Sequence, residues 1–140
     1  PGMAELVAEL SPLTDVVVRA ADVADREAMA PLLAEFPPHT VVHVAGAVDD
    51  GVLDSVTADG LRATAAAKGD AVRLLDELTG DLDAFVVFSS SAATFGAAGQ
   101  AAYAAANAEL DALAERRHAE GKPATAIAWG PWAGAGMAAD

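Results

Sequence analysis

At 140 residues and 54% hydrophobic, the chain has the length and composition of one domain with a sizeable core. The absence of cysteine rules out a disulfide framework, three scattered histidines give no zinc spacing, and no apolar run reaches membrane-spanning length or forms a secretory leader. A cytoplasmic protein without metal or membrane partner is expected, and the net charge of −13 argues against nucleic acid as a partner, because binders of a phosphate backbone concentrate Lys and Arg.

Met3 to Leu10 has helical spacing, with Leu6, Val7 and Leu10 on one face, and Ser11-Pro12 stops it. Asp15 to Arg19 is a short β-branched run predicted as a strand, which leads into Ala20-Ala21-Asp22-Val23. Asp25 is the cap of a helix reaching about Phe36, ended by Pro37-Pro38. Thr40 to Ala45 is a further strand, closed by Gly46. The loop from Ala47 to Asp54 precedes a long helical pattern through Leu61, Ala65, Lys68, Val72, Leu75 and Leu78, predicted to close at Gly80.

Phe85 to Phe88 is apolar without alternation, the mark of a strand covered on both faces, and Ser89, Ser90 and Ser91 follow at its carboxyl end. In open parallel sheets that end is where ligands bind. A Gly/Ala-rich loop then leads to a helix running to about Ala119. On it Tyr103 and Asn107 lie one turn apart, so the phenol and the amide share a face. Gly121 and Pro123 stop this helix, Ala124 to Trp129 is the last strand, and Gly130 to Gly136 is a Gly-rich loop. Strands alternating with helices at this spacing imply a parallel, doubly wound α/β sheet.

Taken singly, these residues have ordinary readings. Tyr103 serves equally as a packing ring, Lys68 as a solvated helix lysine, Gly46 as a strand-end turn and Asp49-Asp50 as an acidic turn. Only one parity of the serine trio can face a ligand, because strand side chains alternate. Ser90 is chosen for its spacing of thirteen residues to Tyr103.

Taken together, Ser90, Tyr103, Asn107 and Lys68 resemble the Ser, Tyr, Lys and Asn set of the short-chain dehydrogenase/reductase superfamily. Asn one turn after Tyr, with Lys on the helix before the serine strand, is the arrangement of the ketoreductase domains of modular polyketide synthases. The likeness extends from Asp15 to Met137 and includes IAWGPWAGAGM. It implies NADPH-dependent reduction of a 3-ketoacyl chain held as a thioester on an acyl carrier protein, among the other domains of a synthase. Within it, Tyr103 is the proton donor, Lys68 lowers the phenol's pKa, Ser90 holds the ketone oxygen, and Asn107 orients Lys68 or a water. For the cofactor it implies Asp22 and Val23 around the adenine, Ala45 and Gly46 near the ribose and nicotinamide, Lys68 and Tyr103 beside it, and Gly130, Pro131 and Trp132 at the carboxamide.

Val48-Asp49-Asp50 resembles the Leu-Asp-Asp fingerprint of B-type ketoreductases, which give the D-3-hydroxyl, and departs from it in Val for Leu. Phe95 stands where A-type members carry tryptophan. Ala98 and Ala105 stand where the epimerising subgroup has prolines, so a non-epimerising B-type domain is expected. A dinucleotide fold opens with a strand and a Gly-rich turn that receives the pyrophosphate, and no such turn is found here. Under the family's strand order 3-2-1-4-5-6, the strands present are numbers three to six. Residues 1–140 are therefore expected to be the central to C-terminal part of one catalytic domain, a partial Rossmann-like sheet without the first βαβ unit and the closing strand and lid. The isolated chain is expected to be inactive, and the competing reading is an inert reductase-like segment with a scaffold role.

Overall fold

Three apolar runs rich in β-branched and aromatic residues pair to make the sheet: β1 (Thr40–His43), β2 (Ala84–Ser90) and β3 (Thr125–Trp129). The computed structural model of the chain describes residues 2–47 and 50–132. All pairing is parallel in the order β1-β2-β3, with Val41 opposite Phe85, His43 opposite Val87 and Ser90 opposite Trp129. Parallel neighbours need crossover connections, and helices supply them. Between β1 and β2 run α3 (Ala58–Ala65), a wide π-helical turn (Ala66–Asp70) and α4 (Ala71–Leu78); between β2 and β3 run α5 (Ser91–Phe95) and α6 (Ala101–Ala119). Upstream lie α1 (Met3–Leu10) and α2 (Arg26–Glu35), the latter capped by Asp25 accepting from the Glu27 N–H at 2.9 Å.

The central strand carries the core. Phe85 and Val87 on β2 meet Val72, Leu74 and Leu75 of α4 and Leu110 and Leu113 of α6, joined by Val41 and Met29. Each such side chain contributes about 1.5–3 kcal/mol by leaving water. No helix among the described residues is long and apolar enough to cross a membrane.

Departures from the sequence reading have physical causes. Asp15 to Arg19 forms no strand, and Val17 and Val18 are exposed, because no strand among the described residues offers it a ladder. The outer side of β1 is likewise unpaired among the described residues, leaving Val42 and Val44 in solvent. The loop after the serines contains α5, which Ser90 initiates by accepting from the Ala92 N–H at 3.2 Å. The predicted close at Gly80 comes earlier, at Leu78, where Thr79 turns its hydroxyl back to the Leu75 carbonyl at 2.6 Å. Finally, the helical stripe changes register at the wide turn. Downstream, Val72 and Leu75 are buried as expected; upstream, Leu61 is exposed and Thr64, not Ala65, is buried. A turn holding one extra residue slips the buried stripe by one position.

At the amino end of the sheet Arg117 is only 2% exposed. It pairs with Asp76, donates Nε to the Pro123 carbonyl at 3.1 Å, and lies 4.3 Å over the Phe85 ring. The more exposed Arg116 shares the same carboxylate at 2.6 Å. Removing Arg117 takes its packing from Phe85, its bond from the Pro123 carbonyl and its buried charge from Asp76, whereas an exposed pair is screened. Arg117→Ala is expected to lower unfolding stability by about 3 kcal/mol and Arg116→Ala by less than about 1 kcal/mol, read from urea midpoints at unchanged slope.

Candidate active site

The carboxyl ends of β2 and β3 open into a cavity of about 460 Å³. Its size suits a ligand rather than a packing defect. Lys68 from the wide turn, Ser89 and Ser90 from β2, Ser91, Ala92 and Phe95 from α5, and Tyr103 from α6 all line it. Phe88 and Trp129, whose rings pack at 5.3 Å, form an aromatic wall that continues to Trp132 at 5.2 Å from Trp129. Phe95 stands at the rim, 85% exposed.

Lys68 dominates the electrostatics. It is 3% exposed, donates Nζ to the Phe88 carbonyl at 2.9 Å, and sits 5.7 Å from the centre of the Tyr103 ring. No carboxylate pairs with it among the described residues. Burial therefore pushes its pKa below the ordinary lysine range. The approach is possible because position 46 is glycine: a Cβ there would come within 2.9 Å of Lys68 Cε. Tyr103 is 9% exposed, with its ring against that charge.

All three serines line the cavity, contrary to the one parity expected, because Ser91 already belongs to α5 and Ser89 reaches the cavity edge; the two serines of β2 differ in their bonds. Ser89 turns toward α6 and donates to the Asn107 carbonyl at 3.3 Å, while Ser90 Oγ accepts at the start of α5. An accepting hydroxyl keeps its own proton for a ligand. Asn107 is fully buried but does not line the cavity. Its Nδ2 donates to the Tyr103 carbonyl at 2.7 Å and its Oδ1 has no protein partner. The expected contact with Lys68 is absent, because the amide is turned back along its own helix.

Gly130, Pro131 and Trp132 line the cavity, whereas Asp22 and Val23 do not. Asp22 accepts from the Ala24 N–H at 2.9 Å, and Val23 packs against the core. Ala45 and Gly46 are exposed in the loop after β1, where only Val44 lines the cavity. Val48, Asp49 and the Gly-rich segment from 133 onward lie outside the described residues. Asp50 accepts from Gln100 Nε2 at 2.8 Å, and the Gly51 N–H bonds the Gly99 carbonyl at 2.8 Å. Gln100, Phe88, Trp129 and Val44 were not singled out from sequence. Phe88 was accessible to it, since it shares strand parity with Ser90.

A family model described as the KR domain matches residues 1–134. The chain belongs to the KR-domain family. It is 56% identical over 142 residues to a pikromycin polyketide synthase component of Streptomyces venezuelae, covering 95% of this chain and 4% of that protein. It is 50% identical over 144 residues to an erythronolide synthase of Saccharopolyspora erythraea, covering 99% of this chain and 4% of that protein. Among solved structures, an A-type ketoreductase of a modular polyketide synthase superposes with TM-score 0.94 at 53% identity, over 100% of this chain and 31% of that one. The first ketoreductase of the tylosin synthase superposes at 0.92 and 52% identity, over 100% and 32%. A short-chain dehydrogenase/reductase of Vibrio parahaemolyticus superposes at 0.70 with 26% identity, over 90% and 66%. The chain thus spans about a third of the solved ketoreductases and a small part of the synthases it matches.

KR domains are oxidoreductases that use a nicotinamide cofactor, and the residues present fit such a group. Lys68 is a buried cation with only one donor spent on the Phe88 carbonyl, and it faces the cavity. Its burial also has a testable consequence for stability. With the folded pKa below the unfolded one, the unfolded state binds more protons between the two values, so stability rises with pH there. Below that window the full penalty of the charge applies. Lys68→Met is expected to melt higher than wild type at pH 7, with the gain shrinking as pH rises toward about 10.4, the unperturbed lysine value. Melting temperatures of both proteins across that pH range check this.

Proposed function

We propose that the protein carrying this chain reduces a 3-ketoacyl thioester on an acyl carrier protein to the D-3-hydroxyacyl thioester, using NADPH, as one domain of a polyketide synthase. The observation that carries the reading is the convergence of Ser90, Tyr103 and Lys68 on one cavity at the carboxyl end of a parallel sheet. NADPH would be held by Lys68, Ala45 and Gly46 and by Gly130, Pro131 and Trp132, with Asp22 and Val23 toward its adenine. When bound, it supplies the hydride for the ketone carbon.

This chain's own residues do the rest. The Ser90 hydroxyl, accepting from the Ala92 N–H, donates a hydrogen bond to the ketone oxygen and holds it where negative charge develops, keeping its own proton. The Tyr103 phenol gives that oxygen its proton. The Lys68 ammonium beside the ring favours the negative charge left on the phenol oxygen as the proton leaves. Asn107 acts at one remove, fixing α6 at Tyr103 through its carbonyl and β2 through Ser89. Removal of the phenolic hydroxyl bears on the developing charge more than on binding. Tyr103→Phe in the complete protein is expected to lower kcat about 100- to 10,000-fold with little change in KM, in a spectrophotometric assay of NADPH oxidation.

Handedness follows from the direction in which the acyl chain lies in the cleft. The Val48-Asp49-Asp50 fingerprint and Phe95, which stands in place of tryptophan at the cavity rim, are the sequence positions this reading holds responsible for that direction. Likeness to an A-type structure concerns the fold shared by both types, whereas these few positions decide the facial bias. A bias of about 2.8 kcal/mol gives about 100:1 selectivity. The product is expected to be the D-3-hydroxyl with its α-substituent uninverted, by chiral chromatography against four 2-methyl-3-hydroxyacyl standards. A predominant L-hydroxyl would overturn the B-type assignment and leave the reduction standing.

A further inference from the structure

His43 is a buried titratable residue to which the proposed reaction gives no task. It is 4% exposed, on β1, and its Nε2 lies 3.1 Å from the Ala67 carbonyl in the wide turn. A carbonyl can only accept, so Nε2 carries the proton. In an α-helix the Ala67 carbonyl would take the Ala71 N–H. Here that N–H goes to the Ala66 and Lys68 carbonyls, so the wide turn gives up the Ala67 bond and the imidazole takes its place. A released carbonyl in a half-buried turn is costly if nothing satisfies it.

The other side of the turn is closed by α6. A Cβ at Gly69 would overlap the Glu109 carboxylate, and Glu109 is itself paired with Arg73 of α4. Lys68 is thus carried by a turn clamped between β1 and α6, next to the residue whose carbonyl His43 holds. Burial lowers the pKa of His43, the bond to Ala67 opposes that, and the charge of Lys68 lowers it further.

We propose that His43 is a positioning residue for Lys68: its Nε2–H occupies the carbonyl freed by the wide turn and so holds the ammonium at Phe88 and Tyr103. The proposal rests on the reading of Lys68 as the charge that assists Tyr103. The test is a double-mutant cycle in the complete protein, assayed with NADPH and a 3-ketoacyl thioester of a small soluble thiol. His43→Leu is expected to lower kcat about tenfold or more with KM for the thioester little changed, and His43→Gln, whose amide N–H can reach the carbonyl, to recover most of it. In a Lys68→Met background, His43→Leu is expected to cost less than about twofold further, because two residues acting through one group are not additive.

If Lys68→Met is slow but His43→Leu turns over like wild type, or loses the same factor in both backgrounds, the proposal falls and the role of Lys68 stands. If Lys68→Met itself keeps wild-type turnover, that role falls and the proposal with it. Should His43→Leu not fold, as judged by near-ultraviolet circular dichroism, the pair His43→Gln and His43→Asn decides. The shorter amide is expected to be slower by about fivefold or more, and equal turnover overturns the proposal.

Discussion

A cation with no carboxylate partner among the described residues, kept out of water, is the constraint around which the site is arranged. Lys68 has a backbone carbonyl, an aromatic ring and a glycine for neighbours, and none of these carries a formal negative charge. Such an arrangement is unfavourable for folding and has to be supported by the surroundings. The missing Cβ of Gly46, the carbonyl that Phe88 presents near the end of β2, and the wide turn that carries the lysine each accommodate it. A helix left to its own preferences would regularise that turn and leave the lysine in solvent.

The central strand links this site to the rest of the molecule. At its amino end Phe85 is covered by the Arg117 guanidinium, which is in turn held by Asp76 and Pro123. At its carboxyl end Ser89 is tied to α6 and Ser90 opens α5. Both faces and both ends of β2 are therefore fixed, and the serine hydroxyls inherit that rigidity. Ser90 combines two functions in one oxygen: a lone pair organises the protein backbone, and the proton remains available to a guest.

Most of the fold was legible because it is governed by periodicity. The apolar runs at 40–45, 84–90 and 124–129 became strands, and the helices around Leu6, Leu32 and Leu110 formed where spacing and caps placed them. The misses share a different origin. Helix α5 is too short to show a period and depends on the Ser90 oxygen. The wide turn depends on His43 and Glu109, which come from other elements, so Leu61 and Ala65 gave the wrong stripe while Val72 and Leu75 gave the right one. Asp15 to Arg19 has strand composition but lacks a neighbour, and a strand is a property of a pair. At the site, the grouping of Ser90, Tyr103 and Lys68 was readable as a pattern of residue types. The orientation of the Asn107 amide was not, since it depends on competition between nearby acceptors.

The bonds joining Asp50 to Gln100 and Gly51 to Gly99 make one structure of two segments that are about fifty residues apart in sequence. The acidic loop is stitched to the turn that opens α6, within a few residues of Phe95. Gln100 lines the cavity, so the two bonds tie its wall to a segment that does not touch it, and an exchange at Asp50 or Gly51 bears on the position of Gln100 and of the start of α6.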